Sequence, residues 1–92
     1  MKVVYTEEAL RDLDEILRFI AANYPAVSAA FEMRLSAVTE RIGRWPASAQ
    51  EVEQRAGVRS VPLIRYPYKI FYRVTGTAVE ILHIHHAVRS QP

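Results

Sequence analysis

The sequence predicts an α+β fold of element order β-α-α-β-β-β, with a helical hairpin packed on a small antiparallel sheet. Three observations carry this. Two stretches of the first half repeat apolar residues at steps of three and four, the period of a helix buried on one side. The last third runs β-branched and aromatic residues through two segments joined at Gly76-Thr77, the pattern of a β-hairpin. The length of 92 residues, half of them apolar and 24% charged, suits an ordinary globular chain with one core, so residues 1–92 are expected to form a single domain.

Val3-Val4-Tyr5 reads as a short strand. Thr6 follows as a helix N-cap, with Glu7 and Glu8 placed where carboxylates oppose the positive end of the helix dipole. Leu10, Leu13, Ile16, Leu17, Ile20 and Tyr24 form the apolar stripe of a first helix, which ends at Asn23 or Tyr24 because the residue before Pro25 disfavours helical geometry. Pro25 opens a second helix. Its stripe is Val27, Phe31, Leu35, Val38, Ile42 and Trp45, and Pro46 ends it. So short a connection makes the two helices an antiparallel hairpin. Their outer side is a possible partner-binding surface.

Ala47 to Gly57 has no period and reads as a loop. Val58 to Leu63 reads as a strand that Pro62 confines to an edge or a bulge. Tyr68 to Val74 and Val79 to His86 are the arms of the hairpin, with Gly76 supplying the positive φ of a type II′ turn. Carried outward from Gly76-Thr77, this register pairs Arg73 with Glu80, Tyr72 with Ile81, Ile70 with His83 and Lys69 with Ile84. Cross-strand partners share a face. One face then holds Tyr68, Ile70, Tyr72, Val74, Val79, Ile81, His83 and His85 and is expected to meet the helices. The other holds Lys69, Phe71, Arg73, Glu80, Leu82, Ile84 and His86 and is expected to stay open.

Composition excludes several classes. There is no cysteine, hence no disulfide, thiolate nucleophile or zinc–sulfur site. No apolar run approaches the roughly 18 residues of a membrane span, so no membrane partner is expected. The first residues turn acidic where a secretion signal needs an apolar stretch, which makes the cytoplasm the expected compartment. The net charge of +2 conceals an asymmetry. Up to Gln54, six basic residues face nine acidic ones, a balance of −3; from Arg55 onward, six basic residues face Glu80 alone, a balance of +5. A basic half of this kind suits an anionic partner.

The chemistry-bearing residues are few. His83 and His85 fall on one face of a strand and need a third ligand to hold a metal. The register brings no carboxylate to that face, so neither a metal nor a cofactor is expected. RNA cleavage through the 2′-hydroxyl needs a base, an acid and cations around the phosphorane. His86, Lys69, Arg73 and Arg59 or Arg65 are candidates for those roles on the open face. Tyr66, Tyr68, Phe71 and Tyr72 suggest base stacking, although Tyr68 and Tyr72 fall on the core face.

The whole chain resembles the RelE/ParE toxin superfamily. The resemblance rests on the opening strand, Asp12-Leu13-x-x-Ile16-x-x-Phe19-Ile20, Pro25, the second helix ending in Trp45-Pro46, Gly57-Val58-Arg59, Tyr68-Lys69-Ile70-Phe71-Tyr72-Arg73-Val74, and Val79-Glu80-Ile81-Leu82-x-Ile84-x-His86 with Arg89 shortly after. It is closer to the ParE branch. That branch implies a toxin that binds and inhibits DNA gyrase without catalytic residues of its own, neutralised by a ParD-like antitoxin that wraps a helix and an extended tail around it in a hetero-oligomer. Target or antitoxin contacts are then expected at Arg59, Arg65, Lys69, Phe71, Arg73, His86 and Arg89. The RelE branch would instead imply ribosome-dependent messenger RNA cleavage, with Arg59, Lys69, His86 and Arg89 as its working residues. The late tyrosine and the lysine pair of that pattern are absent here, which leaves enzymatic activity undecided. A third alternative is an inactive member that only binds its antitoxin.

Overall fold

Thr6 turns the opening strand β1 (Lys2–Tyr5) into helix α1 (Glu7–Asn23). Its Oγ1 accepts from the Ala9 N–H at 3.2 Å, an N-cap worth about 1 kcal/mol. A computed structural model describes residues 1–87. After α1, a single 3₁₀ turn at Pro25–Val27 leads into α2 (Ser28–Arg44), and a second at Pro46–Ser48 leads into β2 (Gln50–Glu51), β3 (Val58–Pro62), β4 (Tyr68–Val74) and β5 (Ala78–His86). The sheet order is β1-β5-β4-β3-β2. The predicted α+β class and element order hold, with two additions. The stretch read as a loop contributes the two-residue β2, which pairs Gln50 with Ser60 and Glu51 with Arg59. The sheet is mixed, because β1 runs parallel to β5.

Both helices cover one face of this sheet. Ala9, Ile16, Ile20, Phe31, Leu35, Val38 and Ile42 meet Leu63, Ile70, Tyr72, Val79, Ile81 and Ile84 in one buried cluster. The predicted stripes hold at their centres and fail at their ends. Leu10, Tyr24 and Trp45 are more than half exposed, and Ala9, which the stripe omitted, is fully buried instead. The T-shaped contacts of Phe31 with Tyr66 and Tyr68, centroids 5.3 and 5.9 Å apart, fix α2 over the β3–β4 turn. Gly43 allows α2 to approach β1: a Cβ there would stand 2.9 Å from Val3 Cγ2 and 3.0 Å from the Met1 carbonyl. Among the described residues no helix is long and apolar enough to cross a membrane.

The hairpin departs from its expected geometry twice. Gly76 and Thr77 do form the loop, but Gly76 does not take a positive φ. Thr75 closes the turn instead: its Oγ1 accepts from the Ala78 and Thr77 N–H groups at 3.0 and 3.3 Å and donates to the Ala78 carbonyl at 3.0 Å, the local bonding by which a hydroxyl replaces turn backbone. The register from Val74–Val79 to Tyr72–Ile81 is as predicted, but Phe71 then pairs with His83 rather than Leu82. Leu82 is therefore the extra residue of a β-bulge, and every later side chain of β5 changes face. The bulge sits where β1 ends. There Thr6 N–H bonds the Ile81 carbonyl at 3.0 Å, and Thr6 Oγ1 is shared between the carbonyls of Ile81 (2.9 Å) and Leu82 (3.2 Å).

Candidate functional site

The bulge decides what the end of β5 presents. Ile84, expected on the open face, is 2% exposed within the core. His83 and His85, expected against the helices, pair with Phe71 and Lys69 on the uncovered face. His86, expected on the open face, pairs with Tyr68 on the helix side, the two rings T-shaped at 5.5 Å.

Among the described residues the named cations do not converge. Arg59 pairs with the buried Tyr72 and so lies on the helix side, not the open one. Its Nη1 donates to the Ala49 carbonyl at 2.6 Å and more distantly, at 3.4 Å, to that of Ala47. The Tyr72 hydroxyl donates to the Pro46 carbonyl at 2.6 Å. Together these two side chains pin the segment between α2 and β2. Burial raises the Tyr72 hydroxyl above its ordinary pKa, while the Arg59 charge and a hydrogen bond involving the Ala49 backbone lower it. Lys69, Phe71 and Arg73 share the open face. There Arg73 Nε bonds Glu80 Oε1 at 2.9 Å, as the sequence predicts, and Phe71 packs on His85 at 5.7 Å. Arg65 is exposed in the β3–β4 turn with a φ of 83°, a left-handed conformation costly for a side chain with a Cβ. Arg89 lies outside the described residues. The ribonuclease set is thus divided: Arg59 and His86 are on one face, on strands that β4 separates, and Lys69 is on the other.

Two groupings were not foreseen. The first is a groove of about 750 Å³ between α1 and the end of β5, lined among others by Asp12, Phe19, Tyr24, Tyr68 and His86. Phe19 and Tyr24 are more than half exposed, their rings 6.1 Å apart and tilted by 60°. The second corrects the reading that no carboxylate lies near His83 and His85. Asp12 Oδ2 stands 3.7 Å from His83 Nδ1 and 3.9 Å from His85 Nε2, and Glu8 Oε2 stands 3.4 Å from His83 Nδ1. The sequence shows only that His83 and His85 share a face; the bulge that turns them outward and the return of α1 across the β5 edge depend on the parallel pairing of β1.

Set beside known proteins, residues 3–90 match the family described as ParE toxin of the type II toxin–antitoxin system parDE. The chain belongs to this family of toxins. It is 32% identical over 91 residues to Y4kP of Sinorhizobium fredii, a toxin by name, covering 99% of this chain and 93% of the relative. The fold is that of the chromosomal ParDE system from P. aeruginosa, with a TM-score of 0.79 at 24% identity over 94% of this chain and 95% of that one. It also resembles the RelBE2 toxin–antitoxin complex of Mycobacterium tuberculosis, with a TM-score of 0.62 at 26% identity over 92% and 95% of the two chains. The ParE-family toxin thus has the RelE/ParE superfamily fold expected from its sequence.

Proposed function

We propose that this toxin acts by binding rather than by catalysis, as a ParE-like inhibitor of DNA gyrase kept inactive by a ParD-like antitoxin. The observation that carries the reading is the division of Arg59, Lys69 and His86 between two faces. General acid–base chemistry on a phosphodiester needs its groups within hydrogen-bond reach of one reacting phosphate, and these do not surround a common point. What the ParE-family chain offers instead is surface: Phe19 and Tyr24 along the groove, and the half-buried Phe71 beside Lys69 on the uncovered sheet face. An amphipathic antitoxin helix suits the groove. An acidic, partly apolar tail suits the sheet face.

The test places purified toxin in two reactions, supercoiling by DNA gyrase and translation-coupled messenger RNA cleavage. Loss of supercoiling with intact RNA is expected, with activity restored by the acidic antitoxin. Normal supercoiling beside cuts in the ribosomal A site would overturn the proposal in favour of a RelE-like ribonuclease. If neither reaction responds and the antitoxin still binds, the chain is an inactive member.

A further inference from the structure

We propose that Asp12, His83 and His85 form a binding site for a divalent transition-metal ion, with Glu8 available as a fourth ligand. One ligand atom from each of the first three lies within 4.8 Å of the others. The ligands of a tetrahedral zinc ion, each at about 2.0–2.1 Å, stand roughly 3.3 Å apart, so small side-chain rotations close the cluster. The separations of 3.4–3.9 Å between imidazole nitrogens and carboxylate oxygens exceed those of a good N–H···O bond. The groups are spaced as donors around a common centre rather than as hydrogen-bonded pairs.

The surrounding fold holds this arrangement. Strand alternation puts His83 and His85 on the same side, and the bulge at Leu82 turns that side away from the core, their rings 4.8 Å apart and inclined by 39°. The Ile84 N–H, beyond the reach of β1 on the sheet edge, donates to Asp12 Oδ2 at 3.0 Å. That bond orients the carboxylate as outer-sphere partners orient metal ligands. The side chains of Asp12 and His83 are 24% and 23% exposed, and that of His85 is 43% exposed, so the cluster is partly desolvated yet open to an entering ion. Two imidazoles and a carboxylate suit zinc, nickel or cobalt rather than magnesium or calcium. A bound ion would tie α1 to β5, joining residues more than seventy positions apart, and would stabilise the folded chain by mass action. The site is independent of the toxin's cellular target.

The experiment titrates zinc chloride into the untagged, chelator-stripped chain by calorimetry, and records cobalt(II) absorption in parallel. One-to-one binding is expected, tighter than about 0.1 mM, with a zinc-dependent rise in Tm. Asp12→Asn keeps an acceptor for the Ile84 N–H and is expected to weaken binding at least tenfold. His83→Gln and His85→Gln are expected to weaken it further, and Glu15→Gln in the adjoining groove to leave it unchanged. Circular dichroism confirms that each variant is folded; should one histidine variant unfold, the other together with Asp12→Asn carries the test. Absence of saturable binding up to about 1 mM zinc overturns the proposal. So does binding that Asp12→Asn leaves intact, which would mark a surface histidine pair without the carboxylate.

Discussion

Arg59 is a strut before it is a contact, and Arg59→Ala tests this directly. The guanidinium makes one short bond, 2.6 Å to the Ala49 carbonyl, and one long one, 3.4 Å to Ala47. A hydrogen bond from a charged donor contributes about 1.5–3 kcal/mol net, and a bond at the limit of distance contributes little. Arg59 is only partly buried, so the lower part of that range applies, about 1.5–2 kcal/mol. For a chain of this size 1 kcal/mol moves Tm by about 4–8 °C, which gives a fall of roughly 6–16 °C. Thermal unfolding followed by far-UV circular dichroism measures it, with a urea midpoint at unchanged m-value as the cross-check. Arg59→Lys is expected to fall between Arg59→Ala and the parent, because an ammonium keeps a donor but loses the planar fork. A Tm for Arg59→Ala within about 1 °C of the parent, combined with lost growth arrest or lost antitoxin affinity, would refute the strut. It would return Arg59 to the role expected from the sequence, a partner contact.

Three further expectations follow from the same geometry. Ile84→Ala is expected to cost about 2–4 kcal/mol as a buried truncation and Leu82→Ala under half as much; the reverse order in urea unfolding would restore the unbulged register. Arg65→Gly releases a left-handed backbone costing about 1–2 kcal/mol in an L-residue against about 0.5–1 kcal/mol of added chain entropy, so Tm is expected to hold or rise by a few degrees. A clear fall would show that the Arg65 side chain supports the turn. Burial raises the hydroxyls of Tyr5 and Tyr72 above 10.0. Their neutral forms therefore contribute stability that is full below pH 10 and lost as pH rises through the folded-state values. Urea midpoints are therefore expected to hold up to about pH 9 and to fall as pH rises past about 10, and to fall less in Tyr72→Phe than in the parent.

The local parts of this fold were readable because they follow from local chemistry. Thr6, Pro25 and Pro46 mark helix boundaries within a residue or a turn, and the Arg73–Glu80 pair follows from three residues counted outward from a two-residue loop. The bulge was not readable. Strict alternation is the only rule a strand sequence supplies, and nothing in Ile81-Leu82-His83 announces an extra residue. Its cause is tertiary: β1 stops opposite Ile81, and Thr6 takes the carbonyls of Ile81 and Leu82. One inserted residue then reverses the placement of four side chains, His83 to His86, of which His86 is the one expected from the sequence to make functional contacts. Asp12 shows the same limit from the helix side. The sequence places it on a polar helix face, and only the path of α1 along the β5 edge brings it to the histidines.

The basic half also changes meaning once it is folded. As a sequence feature, +5 against −3 suggests one positive surface. In the fold, Arg59 bonds backbone carbonyls on the helix side, Arg73 is matched by Glu80, Arg65 projects from the β3–β4 turn, Arg55 lies in the β2–β3 loop, and Lys69 faces outward from the middle of the sheet. Dispersed charge cannot concentrate on one phosphate as a catalytic cluster does, but it still sums to a field at a distance. Such a field acts on encounter more than on the bound state. For the ParE-family toxin, added salt is therefore expected to slow association with the proposed acidic antitoxin while changing dissociation little, as the proposed apolar docking at Phe19, Tyr24 and Phe71 requires. A salt dependence residing in the dissociation rate would instead require buried, directly paired charges at that interface.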